Sequence, residues 1–115
     1  MGGEQKLSAD EQITLAREQF ESAKDFTLAV EEEFAVLDPG TLGLTGRFEE
    51  LQAAAKGTEL EPHIVGELIS SEVEIRTGRC ENFTEAATVM GERRRQLLEL
   101  AGTVGVALCG VGTHP

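Results

Sequence analysis

The 115-residue sequence predicts a single α+β domain. Three observations carry that expectation. Two segments open with a helix-capping pattern and then repeat apolar residues at helical spacing. One segment, "FTLAVEEEFAVLD", alternates its side chains with a period of two. Further stretches rich in β-branched or apolar residues are bounded by turn-forming residues. The order is helix, strand, helix, strands, helix, strand, a pattern that an α/β arrangement would also satisfy.

Residues 1–6 read as a loose tail. Ser8 and Glu11 form a capping-box pattern, and Ile13, Ala16, Phe20 and Ala23 follow at helical spacing, so a helix is expected over about residues 9–24. Residues 1–24 thus make a tail and helix, and residues 25–115 make the main domain. In the next strand Phe26, Leu28, Val30, Phe34 and Val36 share one face, opposite Thr27, Ala29 and Ala35. "DPGTLGLTG" ends that strand. A short helix over 47–56 places Phe48, Leu51 and Ala55 on one side, and "KGTELEP" breaks it. Residues 63–77 predict one long strand, or two with an irregularity near Ser70 and Ser71. Asn82 and Glu85 cap the longest helix, about 83–103, with an apolar face running from Phe83 through Met90, Leu97 and Leu98 to Val104. Arg93, Arg94 and Arg95 are expected on its solvated side. "VGVALCGVG" predicts a buried last strand. A buried strand in last place leaves a sheet unfinished, so the chain reads as the first part of a longer domain.

The net charge of −11 argues against nucleic-acid backbones and anionic membranes as partners. It suits divalent cations or cationic groups, although acidic surfaces also simply keep proteins dispersed. Cys80 and Cys109 form no disulfide framework, and Cys109 reads as an inert thiol within its apolar strand. No signal peptide and no run of about 20 apolar residues is visible, so a cytoplasmic setting is expected. Neither histidine has metal-ligand spacing with a cysteine, and no phosphate-binding Walker loop occurs.

The acids carry the sharpest signal. In a strand, Glu31 and Glu33 point together and Glu32 points away. Glu31 and Glu33 share a face with small residues, which leaves room beside them. Glu72 and Glu74 repeat the spacing on the later strand, with Arg76 on their face and Val73 and Ile75 opposite. Glu67 would face the wrong way in an unbroken strand, so its part depends on the irregularity at the serine pair. Such pairs fit a half-wet sheet face, salt bridges to arginine, or a hard divalent cation. Glu32, on the apolar face, must reach solvent or an arginine.

"FTLAVEEEFAVLD", "VGELISSEVEIRTGRC" and "GVGTHP" together resemble the opening motifs of the bacterial type 2 glutamate–cysteine ligases, the carboxylate–amine ligase family. The resemblance covers about residues 25–115. Ala29 stands where that family commonly has glycine. The resemblance implies a glutamine-synthetase-like catalytic fold, in which an antiparallel sheet with flanking helices forms one wall of a cavity. It implies an ATP-dependent ligase that phosphorylates the γ-carboxylate of L-glutamate and lets an amine, such as that of L-cysteine, displace the phosphate. Glu31, Glu33 and Glu74 then correspond to ligands of Mg²⁺ or Mn²⁺, with Glu67 a fourth acid. Arg76 and Thr77 lie where they could touch substrate. Family enzymes run to several hundred residues, so the 115-residue chain alone is expected to be inactive. A homo-oligomer stays open, as does a non-catalytic acidic module that binds a divalent cation or a protein partner.

Overall fold

A computed structural model describes residues 6–115. The expected tail over 1–6 therefore lies, apart from Lys6, outside the described residues. Helix α1 spans Ala9–Glu21 and opens with the expected capping box. Glu11 donates its backbone N–H to Ser8 Oγ at 3.3 Å, and Ser8 N–H returns a bond to Glu11 Oε2 at 2.7 Å. None of its residues is buried, and Phe20 is 84% exposed. The helix thus rests on local capping, and its apolar stripe has no partner among the described residues.

Strand β1 spans Glu31–Leu37 and starts later than the alternation suggested. The cause is local: Phe26 takes a left-handed φ of 65°, which breaks the extended run and leaves its ring 97% exposed. Only Leu28 pairs within that lead-in, exchanging backbone hydrogen bonds with Cys80. Thr77, 6% exposed, fastens the strand's start. Its N–H donates to Val30 O at 3.0 Å, its Oγ1 accepts from Val30 N–H at 2.9 Å, and the hydroxyl donates to Gly78 O. Those bonds use the side chain structurally rather than leaving it for a ligand.

Helix α2 (Phe48–Ala55) and a 3₁₀ turn (Glu61–His63) lead into β2 (Ile64–Gly66) and β3 (Glu72–Arg76). Helix α3 (Phe83–Val104) and β4 (Ala107–Cys109) follow. The result is α+β: four strands in the order β2-β3-β1-β4, each pairing antiparallel. Val36, Val73, Ile75 and Ile64 face α2 and α3, where Leu51, Leu97, Met90 and Ala101 complete the core. Each large side chain fully buried there contributes about 1.5–3 kcal/mol. Phe83 and Leu98, expected on the apolar face of α3, are exposed, and Leu100 packs against the core instead. Arg47, just before α2, donates to Val104 O at 2.8 Å and Gly105 O at 3.3 Å, satisfying carbonyls at the end of α3.

Residues 63–77 form two strands, the second of the two expectations, and the irregularity at the serine pair is the turn of a hairpin. Its turn is held from outside: Ser70 O accepts from Phe48 N–H at 3.0 Å, and Ser71 O accepts from Val36 N–H at 2.7 Å. Gly66 ends β2 on the core face, where a Cβ would come within 2.7 Å of the Phe48 ring. Gly66→Ala should therefore cost about 1–3 kcal/mol by overpacking. Urea unfolding of the two proteins checks this, and an unchanged midpoint would mean that the Phe48 ring moves aside freely.

Candidate functional site

The sheet has two unlike faces. Phe34 and Val36 of β1 turn to the core, with Glu32 on the same side, while Glu31, Glu33 and Ala35 face the other way. Antiparallel register sets Glu33 opposite Glu74, Glu31 opposite Arg76, and Ala35 opposite Glu72. On the far side of β3, Val65 lies opposite Glu74. Carried on past Gly66, that register brings Glu67 to the same face, because the chain reverses at the hairpin instead of running straight.

The outcome is a convergence of Glu33, Glu67 and Glu74, each with a carboxylate oxygen within 4.8 Å of the others. Glu74 is the buried member, at 4% exposure, and Glu33 is the exposed one. Glu31, expected alongside them, is not part of this convergence. Its Oε1 lies 3.4 Å from Arg76 Nε, and the same Nε donates to Glu74 Oε2 at 2.7 Å. Arg76 therefore sits between two acids of the same face. Its contact with Glu74 was foreshadowed only by the Glu-x-Arg spacing, which puts both side chains on one side of β3.

Glu67 holds its proton to higher pH than an ordinary glutamate. Loss of surrounding water is the main cause, followed by the negative charges of Glu33 and Glu74, a hydrogen bond to Glu74 that favours the protonated form, and Glu72. The chemistry of the three acids is that of a hard-oxygen donor set: carboxylates only, two on paired strands and one just past the end of β2, with Glu74 already desolvated.

Glu32 resolves differently. It faces α3, where Arg94 grips it with both ends of its guanidinium: Nε to Oε2 at 2.6 Å and Nη2 to Oε1 at 2.9 Å. The arginine run on α3 is therefore not simply solvated. Arg94 ties helix to strand, and Arg95 pairs with Glu92 and Glu99 along the helix. Cys109, expected in the core, lies half-buried opposite Ala35, on the carboxylate face of the sheet, because Leu108 takes the core position. His114 reaches the loop after β1, its Nε2–H donating to Leu42 O at 2.9 Å.

The raised pKa of Glu67 has a definite sign. Folding is favoured by the proton it retains, fully so below the ordinary value of 4.5, and that gain is lost as pH rises through the raised pKa. In metal-free buffer the melting temperature of Glu67→Gln, relative to the wild type, should therefore climb as pH rises through that window. A pH-independent difference would show that neither lost water nor the neighbouring acids disfavour the charged form of Glu67.

Comparison with known proteins extends the motifs to most of the chain. The model of glutamate–cysteine ligase family 2 matches residues 27–115. A Rubrobacter xylanophilus protein named "Putative glutamate--cysteine ligase 2-2" is 43% identical over 102 residues, which is 88% of this chain and 26% of the relative. A Legionella pneumophila protein named "Putative glutamate--cysteine ligase 2-1" is 31% identical over 96 residues, 84% of this chain and 25% of the relative. The chain thus spans about a quarter of the length of the curated relatives it matches. Its acids fall within the matched region, on one face of a sheet whose other face is the core, and the chain belongs to glutamate–cysteine ligase family 2.

Proposed function

We propose that the chain forms the N-terminal part of the catalytic unit of an ATP-dependent ligase of the glutamate–cysteine type. The convergence of Glu33, Glu67 and Glu74 on the face away from α2 and α3 is the observation that carries this reading. Membership of the family supplies the reaction class, and the antiparallel sheet with helices behind it agrees with one wall of a glutamine-synthetase-like cavity.

In this reading the three acids hold Mg²⁺ or Mn²⁺, both of which favour carboxylate oxygens. A bound ion would offset the charge of the ATP phosphates and orient the γ-phosphoryl group for transfer to the γ-carboxylate of glutamate. The chain's own contribution is positional. Glu74 is fixed by burial and by pairing on both sides, between β1 and β2. Glu33 is fixed by its register opposite Glu74. Glu67 is fixed by the hairpin turn that α2 and β1 hold. Two acids on paired strands and a third at a hydrogen-bonded turn would place charge where transfer needs it, with little to rearrange. Residues that would bind glutamate, the acceptor amine and most of ATP belong to the rest of such an enzyme.

The 115-residue chain should bind Mn²⁺ yet release no ADP when given ATP, glutamate and cysteine. Glu74→Gln should weaken Mn²⁺ binding at least about tenfold, as loss of a supporting group at a metal site does. Calorimetric titration measures the first point, and a coupled ADP assay the second. In a chain extended to the length of its relatives, glutamate-dependent ADP release should appear and be lost in Glu74→Gln. An extended chain that binds Mn²⁺ but never turns over would instead make this an acidic cation-binding module.

A further inference from the structure

Arg76 occupies an odd position for a site made to hold a cation. Its guanidinium lies 2.7 Å from Oε2 of Glu74, the most buried acid of the cluster, and 3.4 Å from Glu31 Oε1. A divalent ion drawing on Glu74 must meet this charge, since like charges a few ångströms apart repel strongly where water is scarce. Without Arg76, however, Glu74 would be a carboxylate at 4% exposure beside two other acids, with no cation in contact. An unpaired buried charge is strongly destabilising.

We propose that Arg76 is the resident counter-ion of Glu74, and that cation binding passes it to Glu31. This rests on the cation reading above and adds a role for two residues that it left aside. Register prepares the exchange: Glu31 stands directly opposite Arg76 across the β1–β3 pair, so the guanidinium can change partner without a move of the backbone. Glu31 is more than half exposed, and Arg76 nearly half, so water can follow the movement. Glu31 is then a positioning residue that acts through Arg76, not a ligand, which accounts for its place outside the three-acid convergence.

The test is a double-mutant cycle read by Mn²⁺ calorimetry on the 115-residue chain, using the wild type, Arg76→Gln, Glu31→Gln and the double variant. Arg76→Gln should strengthen Mn²⁺ binding roughly three- to tenfold, the scale of a partly exposed charge-assisted pair. Glu31→Gln should weaken it in the wild type, where Arg76 then has only Glu74, and change it less than about twofold in the Arg76→Gln background. Arg79→Gln removes the same charge at an exposed position paired only loosely with Glu81, at 3.9 Å, and should change affinity less than about twofold. Thermal melting supplies the second readout: metal-free Arg76→Gln should melt below the wild type and recover most of the loss in Mn²⁺. Arg76→Lys keeps a charge at the position, should fold without metal, and should bind with intermediate affinity.

If Arg76→Gln binds Mn²⁺ no better than the wild type, the handover is wrong while the cation reading stands. If Glu31→Gln weakens binding equally in both backgrounds, Glu31 is a direct ligand and the handover is again wrong. If no variant binds Mn²⁺, the cation reading fails and takes the handover with it.

Discussion

A one-residue slip between β1 and β3 would turn Glu72 and Glu74 into the core and push Val73 and Ile75 into water. The observed register avoids this because one face of the sheet is tightly buried under α2 and α3. Every later feature depends on that pairing. It sets Glu33 opposite Glu74 and Glu31 opposite Arg76, and it leaves Glu32 facing the helix. Apolar burial on one side of the sheet thus specifies the placement of charge on the other. The carboxylates need not favour their own arrangement: at Glu67, lost water first and then the charges of Glu33 and Glu74 favour the protonated form.

Much of this was legible in the residues. Period two separated Glu31 and Glu33 from Glu32, and the caps at Ser8 and Asn82 located two helices closely. What was not legible depended on distant parts of the chain. Glu67 has the wrong parity for a straight strand, and only a reversal at residues 67–71 restores it. That reversal is held by bonds from Phe48 and Val36, far away in sequence. Phe26 looked like core by alternation, but a single positive φ removed it, and local periodicity carries no sign of such a break. Cys109 was misplaced for a related reason. An apolar run has no alternation to say which residues face the core, and pairing with β1 decided it.

The three adjacent glutamates of β1 show how one charged triplet can serve three ends. Glu32 is taken by Arg94 from α3, a two-pronged contact across 62 positions that ties helix to strand. Both side chains keep some contact with water, so the tie adds little net stability and mostly fixes relative placement. Glu33 joins the acid cluster. Glu31 faces Arg76. Repulsion between neighbouring carboxylates is limited because alternation sends the middle one to the opposite face, where it has its own cation.

Arginine thus appears on both faces of the sheet, in different energetic settings. Arg94 is more than half exposed and Glu32 keeps about a quarter of its surface in water, so breaking that pair leaves an acid that water still reaches. Arg76 meets Glu74, which is almost wholly buried, so removing the arginine leaves a charge that water cannot reach. The two pairs should therefore respond unlike each other to a divalent cation. Among the described residues Glu32 joins no group of acids that could hold an ion, whereas Glu74 stands beside Glu33 and Glu67. A buried acid with an exposed and replaceable partner can fold before its ligand arrives and still yield to it, provided the partner has somewhere else to go. Glu31, directly across the strand pair and already 3.4 Å from Arg76, would be that place.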